Sequence, residues 1–186
     1  MRKEKALTIG LAVCVAALAL VLVNIVAATN VTVTPSSSLS VSGQVRVTVV
    51  RDGKIIFDET NHNLITNAGK DFIAQQVGST SPATNGANYI ALSTDSTTPS
   101  ASDTTLAGEI TSGGLARAQG TYSHTAGTNT FTIQKTFTAT ASFTGVQKSG
   151  LFTASTGGTL VAENTFSPVN LISGDQLQIT WTITIS

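Results

Sequence analysis

Gln176-Leu177-Gln178-Ile179-Thr180-Trp181-Thr182-Ile183-Thr184-Ile185 decides the fold. Leu177, Ile179, Trp181, Ile183 and Ile185 alternate with Gln and Thr without a break, and a period of two puts every apolar side chain on one face of a strand. Ser173-Gly174-Asp175 before it supplies a turn. Working back, Thr159–Phe166 and Val146–Thr153 flank a turn at Thr156-Gly157-Gly158. Phe131, Ile133, Phe137, Ala139, Ala141 and Phe143 alternate with polar residues, broken only by Lys135, and predict one long strand with a dry and a wet face. A turn at Ala126-Gly127-Thr128-Asn129 separates it from a strand within Leu115–Tyr122. Eight or nine short strands with turns at regular intervals predict an all-β antiparallel sandwich.

The first half adds a hairpin and a helix. Val45, Val47 and Val49 alternate up to Asp52-Gly53, a type I′ turn signal, and Ile55-Ile56-Phe57 returns. With Arg51 opposite Lys54, Val50 pairs with Ile55 and Val49 with Ile56, so both faces carry apolar side chains and call for cover. Asn67 reads as the N-cap of a short helix whose Phe72, Ile73, Gln76 and Val77 share a face, with Gly78 at the C′ position. Gly78–Ala87 and Asp95–Thr105 read as loops, with Tyr89-Ile90-Ala91-Leu92 as a short strand between them.

Composition narrows the class. The chain has 186 residues, 10 Lys+Arg, 10 Asp+Glu, only 11% charged residues and one Cys, Cys14. About a quarter of an ordinary soluble domain is charged, so neither a typical cytosolic enzyme nor a charge-extended disordered chain fits. One Cys excludes a disulfide scaffold. Balanced charge without a basic cluster argues against nucleic acid as a partner.

Residues 1–28 form an N-terminal hydrophobic segment, either a signal peptide or a membrane or filament-core helix. Arg2, Lys3 and Lys5 precede an uncharged run from Leu7 to Ala28, about 33 Å long as a helix and long enough to cross a bilayer. The positive-inside rule then places the N-terminus in the cytoplasm and the rest at the cell surface or beyond. Cleavage after Ala28, giving Thr29 as the first residue, would mark a signal peptide; retention would make an anchor. Residues 29–42 form an extended uncharged arm carrying Val31, Val33, Leu39 and Val41, interrupted by Pro35 and Ser36-Ser37-Ser38. Asn30-Val31-Thr32 is a glycosylation sequon at Asn30. Residues 43–186 are the β-domain.

The search for reactive chemistry finds no metal cluster motif, nucleophile elbow or phosphate-binding loop. His62 and His124 read as solvated residues beside turns. Asp95 and Asp103 offer oxygen ligands for calcium at a spacing that matches no known loop, or simply solvate their turn. Glu109 and Arg117 are candidates for a structural pair. No catalytic, cofactor-binding or metal-binding residue is expected, no cofactor, and no enzymatic activity.

Asn67-Ala68-Gly69-Lys70-Asp71, Asp103-Thr104-Thr105-Leu106, Gly114-Leu115-Ala116-Arg117, Gly150-Leu151-Phe152 and Ile179-Thr180-Trp181-Thr182-Ile183 resemble small phage tail-fibre proteins over residues 60–186. Lys5-Ala6 before Leu7-Thr8 resembles the processing site of archaeal type IV prepilins, with cleavage between Ala6 and Leu7. The overall plan is similar to archaeal extracellular filament subunits, either type IV pilins or thread and bundling-pilus subunits; the latter resemblance implies that the arm acts as a donor strand for a neighbouring copy. The expectation is a pilus-like homopolymer, with the membrane as a further partner through the N-terminal helix. The alternative is a monomeric anchored adhesion domain that binds a glycan or a surface protein through its loops.

Overall fold

The computed structural model of the chain describes residues 38–83 and 85–186. The expected processing positions (Ala6, Leu7, Ala28, Thr29), the sequon at Asn30, and Val31 and Val33 of the arm lie outside the described residues. No helix among the described residues is long and apolar enough to cross a membrane.

Two five-stranded antiparallel sheets and one short helix make up the domain. The first sheet runs in the order β2 (Lys54–His62), β1 (Val41–Arg51), β10 (Gln176–Ile185), β7 (Thr130–Thr138), β6 (Thr121–His124). The second runs β3 (Leu64–Ile65), β9 (Leu160–Leu171), β8 (Phe143–Phe152), β4 (Tyr89–Ser93), β5 (Ala118–Gln119). Helix α1 spans Asn67–Gly78. The decisive strand behaves as its alternation demands: Leu177, Ile179, Trp181 and Ile183 are buried against Val45, Val47, Val49 and Ile133 of their own sheet and Ile90, Leu92, Leu151 and Phe166 of the other. Trp181 donates its indole N–H to Ser149 Oγ at 3.3 Å, so the buried ring meets a polar partner from the opposite sheet.

Several expectations need correction. The long strand predicted from Phe131 to Phe143 is two strands: β7 ends at Thr138, and the chain turns through residues 139–142 into β8 of the other sheet. Ala139, at the corner, is tied by backbone hydrogen bonds to Gly174 and Asp175. Both strands face one core, so the alternation carries through the corner and cannot mark it. The strand expected in Leu115–Tyr122 likewise splits at Gly120 into β5 and β6, in different sheets.

The hairpin turn forms at Asp52 (φ 49) and Gly53 (φ 75) with Arg51 opposite Lys54 and Val50 opposite Ile55, but Val49 then faces Phe57. Ile56 is the extra residue of a β-bulge, and Ile55 and Ile56 remain exposed rather than covered. The helix N-cap is Thr66, whose Oγ1 accepts from Gly69 N at 2.9 Å and donates to Leu160 O at 2.6 Å; Asn67 is the first helical residue. Gly78 closes the helix and the extended Ser79 caps it, so no left-handed C′ glycine is involved.

Val41, placed in the arm by the sequence, opens β1 opposite Ile185. Immediately before it, Ser40 and the last residue, Ser186, exchange both backbone hydrogen bonds, at 2.5 and 2.9 Å. Backbone pairing in the described unit thus starts at Ser40.

Candidate functional site

The helix face marked by the sequence packs on the core only through Ile73 and leaves its other apolar residues outside it. Gly69 presses against the Val161 carbonyl of β9, where any side chain would collide with backbone. Phe72, Ile73 and Gln76 are only half-buried and Val77 is exposed. Together with Ile65 and Val161 they form one wall of an apolar groove. The facing wall is the end of the first sheet: Val41, Phe131, Ile183 and Ile185, with Tyr122 at the rim. Tyr122 and Phe131 lean on each other with ring centroids 5.7 Å apart. Ala83, Gly86 and Ala87, from the stretch after the helix, close the end. A second lobe, lined by Leu39, Ser40, Val41, Ile73 and Val77, continues toward the start of the domain. Each lobe encloses about 550 Å³.

Exposed large hydrophobics concentrate here. Among the described residues they are Leu39, Ile55, Ile56, Val77, Tyr122, Ile172 and Ile185. Leu39, Val77, Tyr122 and Ile185 all line the groove. Apolar exposure gathered into one concave face marks an interaction site, whereas scattered residues do not. Leu39 and Val41, named from the sequence as arm residues, thus sit at the groove itself, where the chain enters the domain.

The two loops expected to act together as a gripping surface part company. Ala83, Gly86, Ala87 and Asn88 border the groove, whereas Asp95 and Leu106 pack on the outer face of the second sheet, against Lys148 and against Ala91, Phe152 and Leu160, and Ile110 and Leu115 turn into the main core. Lys148 of β8 holds Asp95 at 2.6 Å. Ser93 pairs with Glu109 and donates its hydroxyl to Ala107 O at 2.5 Å. Arg117 grips Glu109 through Nε and Nη2 at 2.8 and 2.5 Å, donates from Nη1 to Ala154 O and Gly157 O, and lies 3.5 Å over the Phe152 ring. The pair expected between Glu109 and Arg117 is therefore present, at the centre of a polar and cation–π network.

The calcium reading of Asp95 and Asp103 gives way to the same fastening. The Lys148 ammonium occupies the space beside Asp95, and its hydrogen bond, helped by Thr97, holds that carboxylate below the usual range. Asp103 accepts from Ser100 N at 2.8 Å. No group of three or more ligating side chains suited to a metal occurs among the described residues. His62 ends β2 and His124 ends β6, both exposed and on different strands. No family model, curated protein or solved structure matches the chain.

Proposed function

We propose that this protein is a structural subunit of an extracellular pilus-like filament, assembling head-to-tail through its N-terminal segment, with the groove as the socket for that segment from another copy. The observation that carries the reading is the open apolar groove at the point where the chain enters the domain. An extended apolar arm bearing Val31 and Val33 suits such a groove, and burying each valine contributes about 1.5–3 kcal/mol. An extended segment of about nine residues reaches about 30 Å, enough to pass beyond its own domain. A contact between different surfaces of successive copies does not close, and so propagates a fibre. Outside residues 1–6 the chain carries seven basic and nine acidic residues, which leaves little repulsion between neighbours. In this reading the uncharged run 7–28 directs export or anchors the subunit, with the β-domain outside the cell.

Deletion of residues 29–37 tests the arm, and Val77→Asp tests the socket. The deletion stops short of Val41, because removing residues 29–42 would also take away β-sheet partners of Thr184 and Ile185. Both variants should fold, as read by Trp181 fluorescence, and both should fail to form polymers in electron micrographs. Polymers that survive both changes would refute the reading. Mass spectrometry of the mature N-terminus separates the forms: Leu7 first for a helical-core filament, Thr29 first for a donor-strand fibre. A second reading, an anchored surface domain that binds a glycan or protein, is favoured by one observation: Ala83, Gly86 and Ala87, outside any helix or strand, line the groove. It predicts an uncleaved N-terminus and a monomer whose surface binding is lost in Val77→Asp.

A further inference from the structure

Lys148 is an unusual use of a scarce resource. In a chain with ten basic residues it lies on the outer face of β8, only 2% exposed beneath the loop that carries Asp95 and Thr97. Its Nζ is 2.6 Å from Asp95 Oδ2, 3.1 Å from Thr97 Oγ1 and 3.8 Å from Glu163 Oε2. Glu163, on the adjacent strand β9, is 1% exposed, and its Oε1 has no hydrogen-bond partner. The Asp103 carboxylate is its neighbour on the covering segment. One amine in contact with one carboxylate, with a second carboxyl beside them that is dry and half-satisfied, is more than a surface ion pair requires. A buried carboxyl with an idle oxygen is also costly unless it carries a proton.

We propose that Lys148 and Asp95 are joined by an amide bond between Nζ and Cγ, which the folded chain makes for itself with Glu163 relaying the protons. The inference is independent of filament assembly. In the dry pocket the ammonium gives a proton to the carboxyl groups, and the nitrogen lone pair attacks Cγ of Asp95. The N–C bond forms and one C–O bond breaks. Glu163 accepts a proton from the attacking nitrogen and passes one to the departing oxygen, ending as it began. Overall, ammonium and carboxylate become amide and water: two of the three ammonium protons and one carboxylate oxygen leave together, and charge is conserved. No oxidant or co-reactant is required.

Two features favour the step. Folding fixes the reacting groups in contact, and effective molarities of about 10⁵ M or more for well-placed partners offset the reluctance of amine and acid to condense in water. Burial and the Asp103 carboxylate push Glu163 up to about 7, so that it both donates and accepts protons near neutrality. Asp95 keeps a partly open side, at 22% exposure, through which the water escapes. Asp95 rather than Glu163 is the acyl partner because it is the one in contact with Nζ.

Mass spectrometry of the full chain, purified and denatured, decides the matter. The expected result is a mass one water below that of its processed sequence, with a branched tryptic peptide joining residues 95 and 148. Lys148→Arg and Asp95→Ala should restore the full mass, and Glu163→Gln should yield mostly uncondensed protein when freshly made. Asp52-Gly53 can also lose water by cyclising, so a deficit that persists in Lys148→Arg overturns the proposal. So does a wild-type chain of full mass, or a branch mapped to Glu163.

Discussion

Replacing Glu163 by Gln should change how stability responds to pH. Glu163 titrates near 7 in the folded chain, raised by burial and then by Asp103, against an ordinary value of 4.5. Between those two values the folded form holds a proton that the unfolded form has released, so stability is greatest on the acid side and falls as pH rises. Working the linkage from the two values, the wild type should lose about 2 kcal/mol between about pH 5 and pH 7. The other carboxylates with resolved shifts act in the opposite sense and elsewhere. Asp58 and Asp175, each held low chiefly by the hydrogen bond from its basic partner, Glu59, whose burial is outweighed by hydrogen bonds from Asn61 and Ser167, and Asp95 for as long as it is a free carboxylate held by Lys148, contribute stability that is lost only as pH falls into the acid range. The window from pH 5 to 7 is therefore governed by Glu163. The groups around it are Lys148, Asp95 and Asp103; joining Lys148 to Asp95 removes one charge that lowers Glu163 and one that raises it, while burial, the largest cause, stays, leaving the sign intact. Urea melts followed through Trp181, the only Trp and fully buried, supply the assay. The readout is the slope against pH, which a covalent link present in both folded and unfolded states does not generate. Glu163→Gln should be flat where the wild type declines; parallel curves, or a wild-type stability that rises across the window, would refute the reasoning.

Two further changes probe the frame. Thr66→Ala removes the cap on Gly69 N and the hydroxyl bond to Leu160 O, and should cost about 1–2 kcal/mol, a few degrees in Tm, with Ser restoring most of it. Gly114 (φ 82) has no room for a methyl group because the Thr138 carbonyl stands where it would go, whereas Gly127 (φ 85) faces open space. Gly127→Ala should therefore cost about 1 kcal/mol from its backbone angle alone. Gly114→Ala should cost about 2–4 kcal/mol; equal losses in thermal melts would contradict this account.

Sequence and structure agree where one physical rule acts alone. β10 needed only alternation, and Asp52-Gly53 needed only the φ preference of a primed turn. They part where two rules meet. At residues 139–142 the chain changes sheets without changing the core it faces, so periodicity is blind to the corner. Ile55-Ile56 reads the same whether it pairs in register or bulges, and the bulge decides that both point outward. Thr66 and Asn67 are both competent caps, and the Leu160 carbonyl within reach of the Thr66 hydroxyl is a long-range contact no local pattern contains. The groove was half legible. Phe72, Ile73, Gln76 and Val77 were visible as a face, but that they line a cavity follows from Gly69, which sets the helix hard on β9. Lys148 was silent in Val146-Gln147-Lys148-Ser149 because a polar residue on an outer strand face reads as solvated, and the cover comes from a segment some fifty residues earlier.

The hydrogen-bonded meeting of Ser40 and Ser186 has a practical meaning for anyone who labels or displays this molecule. A tag fused after Ser186 emerges at the rim of the groove, beside Ile185, and crowds its opening. The Asp52-Gly53 tip, at the far end of β1, is the insertion point that leaves that mouth clear. The same proximity lets a short linker join Ser186 to Ser40 in a permuted chain opened at that tip, which separates the domain from residues 1–39 and gives a reagent for testing the proposed contact between arm and groove.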